Sequence, residues 1–341
     1  MKILCKMSVI GSLSLGIILT GCESLVDQAI RRDLATAPLA QSLDEGIHVV
    51  LCGTGTPKAS ERGQACTAVI AGNQTLLFDA GEGASINLSL VGIPPKSVSS
   101  VFITHWHSDH FSGLAQLINT AWIDGRKDAI PIYGPAGIKR VIAAIADTYT
   151  FDINNRRNNR PNLSNDAFAG APRPIADESQ HVLYEKAGVT VSAFAVDHNP
   201  VHPAYGYRID YEGRSVVISG DTRVTEATAR AAANVDILVH EALNTSLTNR
   251  AIQQMTALGL SKQAKHTSDV IDYHADTIAI AKMAQASGVK HLVLTHLIPT
   301  VPNNVFMRWL FADGMKNHFD GKITVGHDGQ ILSLPTSETT L

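Results

Sequence analysis

The segment Thr104-His105-Trp106-His107-Ser108-Asp109-His110 holds three histidines and one carboxylate within six residues. In extended chain, residues i and i+2 point to the same side, so His105 and His107 can grip one ion. A turn after them sets Asp109 and His110 at the mouth of the next helix, beside that ion. Packing does not explain such a cluster, because buried imidazoles without partners are costly and a solvated loop has no need of this spacing. Three further donors follow downstream. His198 comes after a run ending in Asp197, Asp221 lies in Gly220-Asp221-Thr222, and His296 ends Leu292-Val293-Leu294-Thr295-His296. Each lies just past the carboxyl end of an expected strand, where open α/β sheets hold their ligands. Nitrogen and oxygen donors without a thiolate point to zinc.

The elements that must position these groups are legible as short apolar runs broken by turns. Strands are expected over 47–52, 65–71, 74–78, 99–104, 130–133, 189–197, 204–211, 215–219, 237–239 and 291–295. Helices are expected over 84–90, 112–120, 138–148, 226–233 and 276–286, the last stopped by Gly288. Two strand-rich halves interleaved with helices imply an α/β domain in layers, with helices outside two sheets. The stretch 154–180 breaks the pattern. It is rich in Asn, Pro and Arg, including Arg156, Arg157, Arg160 and Arg173, and reads as an irregular surface loop or a lid. Trp106, Trp122 and Tyr133 are near enough to the first cluster to line an aromatic pocket, or else belong to the core.

With 45% hydrophobic and 17% charged residues, the 341-residue chain has a globular composition. Its formal charge of −3 advertises no general affinity for nucleic acid. Lys2 and Lys6 precede the mostly apolar run 7–19, which ends in Leu19-Thr20-Gly21-Cys22. Too short to span a bilayer, this run reads as a cleaved signal. Residues 1–21 are then a lipoprotein signal peptide, because Leu-Thr-Gly-Cys resembles a bacterial lipobox with lipid attached at Cys22. Residues 22–46 are a tether and residues 47–341 the folded domain. The expected location is the bacterial cell envelope, lipid-anchored at the periplasmic face of the outer membrane. Cys52 and Cys66 flank a strand-turn-strand, either paired or as two buried thiols.

Over roughly residues 47–328 the chain resembles the metallo-β-lactamase superfamily, through the motif residues His105, His107, Asp109, His110, His198, Asp221 and His296. The resemblance implies an αβ/βα four-layer sandwich and two Zn2+ ions per chain. One ion would sit on His105, His107 and His198, the other on Asp109, His110 and His296, with Asp221 bridging. Asp79, in Asp79-Ala80-Gly81-Glu82-Gly83, matches the family's early supporting aspartate. His240-Glu241-Ala242, and His274 ahead of a helix, resemble ribonuclease Z and the zinc arylsulfatases related to it. That likeness implies a proton-handling pair of Glu241 and His274, with His266 a weaker rival, and Asp109 and Asp221 orienting a hydroxide held between the zincs.

Ribonuclease Z carries its tRNA-gripping arm in the interval that here separates His198 from Asp221, only 23 residues. The short interval, the acidic balance and the export signal favour an arylsulfatase-like hydrolysis of sulfate esters. A small anionic ester is then the expected substrate, a membrane the expected partner through the lipid anchor at Cys22, and nucleic acid is excluded. The alternative is a phosphodiesterase of the ribonuclease Z kind or a β-lactamase-type amide hydrolase, which the same metal site serves.

Overall fold

Runs such as Val49-Val50-Leu51 and Ala68-Val69-Ile70 carry apolar side chains on both faces, which suits strands covered on both sides. In the computed structural model, residues 25–28, 39, 42–43, 45–58, 60–160, 162–175 and 181–336 are described. The expected signal peptide and most of the expected tether lie outside them. Two seven-stranded sheets form among the described residues. The first contains β1 (Gly46–Gly53), β2 (Cys66–Ala71), β3 (Gln74–Phe78), β4 (Ser100–Phe102), β5 (Pro131–Gly134) and β6 (Ala171–Pro174) in that order, with β14 (Gln330–Pro335) pairing antiparallel to β1 at the edge. The second contains β7 (His181–Lys186), β8 (Val189–Ala195), β9 (Tyr205–Tyr211), β10 (Arg214–Ile218), β11 (Ile237–Leu243), β12 (His291–Ile298) and β13 (Lys322–Val325), also adjacent in chain order.

Alternation along each strand divides the apolar side chains between two faces. Val49, Leu51, Phe78 and Phe102 of the first sheet share one buried cluster with Val191, Tyr207, Ile218 and Val239 of the second. Their neighbours Val50, Ala68 and Ile70 turn outward onto Leu88 of α1 (Ala84–Leu90) and Leu117 and Ile118 of α3 (Leu114–Ile123), which follows the short α2 (Ser108–Phe111). On the far side, Val217, Leu238 and Leu292 meet Ile280 and Ala281. The result is the expected helix–sheet–sheet–helix sandwich.

Several local expectations change. Residues 154–159 are not loop but the end of α5 (Thr150–Asn159), which follows α4 (Ile138–Thr148). Asn and Arg side chains there are solvated, so the helix lacks the apolar stripe that would reveal it. Trp122 is fully buried and donates to the Ser164 carbonyl at 2.9 Å, while Tyr133 stacks on Phe102, so both belong to the core. Cys52 and Cys66 are joined as a disulfide between β1 and β2. After α6 (Glu226–Ala231), a helical hairpin of α7 (Thr245–Ala257) and α8 (Ser261–Asp269) precedes α9 (Thr277–Ala286) and α10 (Val305–Phe311). From the tether, Leu39 and Leu43 pack against the helix-facing core of the first sheet.

The turn after β3 and the histidine turn touch backbone to backbone. Gly113 donates to the Ala80 carbonyl at 2.9 Å, and a Cβ at Gly113 would stand 2.1 Å from the Gly81 carbonyl oxygen. Gly113→Ala should therefore destabilise the fold by about 2 kcal/mol, since overpacked backbone has to shift. Urea unfolding with an unchanged midpoint would contradict this.

Candidate metal centre

The candidate donors cluster at or just beyond the carboxyl ends of strands from both sheets. Past β4, the Ile103 amide donates to the Tyr133 carbonyl at 2.8 Å and the Tyr207 hydroxyl donates to the Ile103 carbonyl at 2.6 Å. Tyr205 then donates its amide to the Thr104 carbonyl at 3.0 Å, tying the two sheets together one residue before His105. His107 occupies the N-cap of α2, which carries Asp109 and His110. His198 follows β8 and Asp221 follows β10. His296 arrives differently. In the β11–β12 ladder Glu241 faces Thr295 and Ala242 faces Leu297, so His296 is the extra residue of a bulge, with φ of 46°. Bulges re-aim a side chain, and here the re-aimed group is a donor.

The expected ligands converge. His107 Nδ1 lies 3.0 Å from His105 Nε2 and 3.2 Å from His198 Nε2. His296 Nε2 stands 3.1 Å from Asp109 Oδ2. Asp221 Oδ2 is at the middle, 3.2 Å from His110 Nε2, 3.4 Å from His296 Nε2, 3.8 Å from His198 Nε2 and 3.9 Å from His105 Nε2. Three groups able to hold a metal ion overlap there: His105, His107, His198 and Asp221; Asp109, His110 and His296; and Asp221, His274 and His296. The chemistry of the donors fits. His110 Nε2 is buried with no hydrogen-bond partner and is aimed at the cluster, as a ligand nitrogen has to be.

A surrounding set of contacts fixes the rings. Asp79, held at φ 59° after β3, accepts from the Thr104 amide at 2.8 Å, the Thr104 hydroxyl at 2.9 Å and His110 Nδ1 at 2.7 Å. Thr104 Oγ1 in turn accepts from His105 Nδ1 at 3.0 Å. His198 Nδ1 donates to the Tyr273 carbonyl at 3.1 Å. With those nitrogens engaged outside, His105, His110 and His198 each present Nε2 inward, the arrangement that selects a ligand tautomer. The bonds of Thr104 to Asp79 and the part played by Tyr273 were not legible, because only the fold brings these partners together.

Charge follows the same geometry. Burial, then His110, holds His105 well below the ordinary histidine range, and burial lowers His107 and His198 as well. Neutral imidazoles with free lone pairs are what a metal requires. Burial works against ionised Asp221, yet His296 and His110 outweigh it and hold the carboxyl well below its usual range. Asp109 is lowered too, with burial opposed chiefly by the hydrogen bond from His296.

Beside the cluster, Glu241 Oε1 accepts from the Thr222 amide at 3.0 Å, His274 Nδ1 at 2.9 Å and the Ala275 amide at 3.3 Å. Burial alone would lower His274, but the charge and hydrogen bond of Glu241, then Asp221, raise it from 6.5 to about 9. The His274 ring centroid is 5.1 Å from that of His198 and 5.5 Å from that of His296. His266 is exposed on α8 and takes no part. Of the three aromatic candidates only Trp106 borders the cluster, donating to the Ala136 carbonyl at 2.9 Å.

Residues 59–268 match the Metallo-beta-lactamase superfamily. A ribonuclease Z of Mycobacterium bovis (strain BCG / Pasteur 1173P2) is 31% identical over 288 residues, covering 83% of this chain and 96% of that protein. A ribonuclease Z of Mycobacterium sp. (strain KMS) is 33% identical over 258 residues, covering 75% of this chain and 85% of that protein. The crystal structure of human tRNase Z, short form, shares the fold with a TM-score of 0.60 at 23% identity, covering 84% of this chain and 99% of that one.

These relatives correct the functional expectations. The arylsulfatase assignment falls, since proteins matched almost end to end are named ribonuclease Z. Sulfate and phosphate esters are both tetrahedral anions, and the metal donors alone do not separate them. The exclusion of nucleic acid and the choice of a small anionic ester fall with it. Net charge averages the whole surface, whereas a polyanion responds to local patches. The lipid-anchored location at the periplasmic face of the outer membrane is overturned by the same relatives, whose name puts their activity on RNA. A short apolar run ending in cysteine was slight evidence for a compartment. Cys22 lies outside the described residues, and no helix among them is long and apolar enough to cross a membrane.

Two measurements test the centre. Asp79→Ala removes the acceptor that orients His110, so zinc affinity should fall about 10–100-fold in competition with a chromogenic chelator; unaltered affinity would remove Asp79 from the design. The folded-state rise at His274 stabilises the fold fully below its ordinary pKa of 6.5, a contribution lost as pH rises through about 9. NMR should therefore find His274 titrating near pH 9 in metal-free protein, and well below that in Glu241→Gln. A value near 6.5 in both would refute the pairing.

Proposed function

The chain belongs to the metallo-beta-lactamase superfamily and is a metallo-hydrolase, and from that premise we propose that it hydrolyses phosphodiester bonds in RNA as a ribonuclease Z does, with precursor tRNA as substrate. The observation that carries this reading is the similarity spanning 96% of the Mycobacterium bovis ribonuclease Z, because the site geometry by itself suits several hydrolyses. We take residues 47–341 as the hydrolase domain.

In this reading the centre would hold two zinc ions, one on His105, His107 and His198 and the other on Asp109, His110 and His296, with Asp221 within reach of both groups. Ions so held supply Lewis-acid polarisation of a phosphoryl oxygen and of the attacking water. The protein's own residues do the rest. Asp109 and Asp221 orient that water through their carboxylate oxygens. With Nδ1 committed to Glu241, His274 has Nε2 left to face the substrate. Its positive charge balances the single negative charge of a phosphodiester, and its Nε2 proton passes to the leaving oxygen as the P–O bond breaks. Glu241 keeps the imidazole oriented and cationic, and its anchoring by two backbone amides holds it in position.

The interval from His198 to Asp221 is filled by β9, β10 and their connecting turn. Contacts to a long RNA must therefore come from other surfaces.

Zinc-loaded protein should cleave a 3′-extended precursor tRNA, and should turn over a bis-aryl phosphodiester with a higher kcat/KM than an aryl sulfate. His274→Ala should keep its metal and lose about 10²–10⁴ in kcat, whereas Asp221→Ala should lose metal. Preference for the sulfate with no RNA cleavage would sink the assignment.

A further inference from the structure

We propose that α5 and the loop behind it bind single-stranded RNA, an inference that rests on the RNA reading above. A cavity of about 330 Å³ opens there, lined by Asn154, Arg157, Asn158, Arg160, Leu163 and Asn165. Its polar lining consists of Asn and Arg, and no carboxylate lines it among the described residues. The nearby carboxylate of Asp152 is taken by Arg156 at 2.8 Å, one turn along the helix. Arg157 is already set in place. Its Nη2 donates to Asn165 Oδ1 at 2.6 Å, and its guanidinium lies 5.9 Å from the centre of the Phe168 ring. Arg160 is exposed and has no ion-pair partner among the described residues.

A second feature lies on the same helix. Phe151 is 90% exposed, on a helix whose other exposed side chains are polar. It precedes Asn154 by three residues and Asn158 by seven, the spacing that puts all three on one helix face. An exposed phenyl ring in line with the amides of Asn154 and Asn158, on a helix whose last turn carries Arg157 and which ends at Arg160, brings together the group types by which proteins take up unpaired RNA. The base stacks on the ring, and the phosphates accept from Arg and Asn. The cavity is within reach of the metal centre. Trp106, between His105 and His107, bonds to Ala136, two residues before α4, and α4 and α5 together extend roughly 30 Å at most at the helical rise. A strand cleaved at the centre can span that distance with several nucleotides.

The test is fluorescence anisotropy of a labelled oligouridylate against the full chain, across a salt series. Phe151→Ala should weaken binding about tenfold with the salt slope unchanged, because stacking is lost and the charges remain. Arg157→Gln with Arg160→Gln should weaken binding and flatten the slope of log K against log salt by about 1.4, the value for two phosphates on a single strand. Turnover of bis(para-nitrophenyl) phosphate should stay at the wild-type level in all variants. If the double variant loses that turnover through misfolding, Arg160→Gln alone should still flatten the slope by about 0.7. RNA binding that survives these substitutions with its slope intact overturns the α5 site while leaving the RNA reading standing. A wild-type protein that binds no oligouridylate and cleaves no precursor tRNA overturns both.

Discussion

The buried carboxylate of Asp221 is the constraint around which this molecule is arranged. Its Oδ2 lies within 4 Å of four imidazole nitrogens, and the residue is 2% exposed. An isolated carboxylate in such a place costs several kcal/mol of lost hydration, so it persists only where positive charge or a metal surrounds it. His110 and His296, one from each half, supply that compensation. Asp79 repeats the device one step further out, with three hydrogen bonds that satisfy its own charge and fix His110.

The sandwich turns this local requirement into a rigid platform. His105, His107, Asp109 and His110 come from the first sheet, His198, Asp221 and His296 from the second. The two halves are joined beside them by the Tyr205–Thr104 and Tyr207–Ile103 hydrogen bonds. Behind that join, Phe78, Phe102 and Tyr207 pack ring against ring. Loops this short, anchored at both ends to packed strands and helices, keep their donors at fixed spacing, which is what preorganisation for charge in a transition state demands. Two positions of the site, the supporting Asp79 and the candidate ligand His296, adopt positive φ without being glycine. Such backbone is uncommon and its cost is borne by the surrounding packing.

Substrate choice is a separate layer laid over this chemistry. The donors and the Glu241–His274 pair suit any anionic ester, and the relatives, rather than the donors, turn the reading toward RNA. The chain carries a formal charge of −3, yet its charges are not evenly spread: the α5 cavity is lined by Arg and Asn. Attraction of a polyanion depends on such local fields within about 10 Å, not on the total.

What the sequence determined by itself was whatever depends on near neighbours. The donor set, the placement of His198 and Asp221 after apolar runs, and the layered α/β architecture all follow from residue type, two-residue alternation and turn chemistry. Those are local properties, and they survive without knowledge of the fold. Tertiary structure alone decided the rest. The bulge that aims His296 exists only in the register of β11 against β12. The bonds of Thr104 to Asp79 and of His198 to the Tyr273 carbonyl join residues brought close by folding, and the Cys52–Cys66 disulfide comes from the pairing of two strands. The polar helix α5 carries no apolar stripe to betray it, and its cavity appears only when the following loop folds back upon it. Long-range register and ring orientation are settled by packing and desolvation, which the linear order of residues does not record.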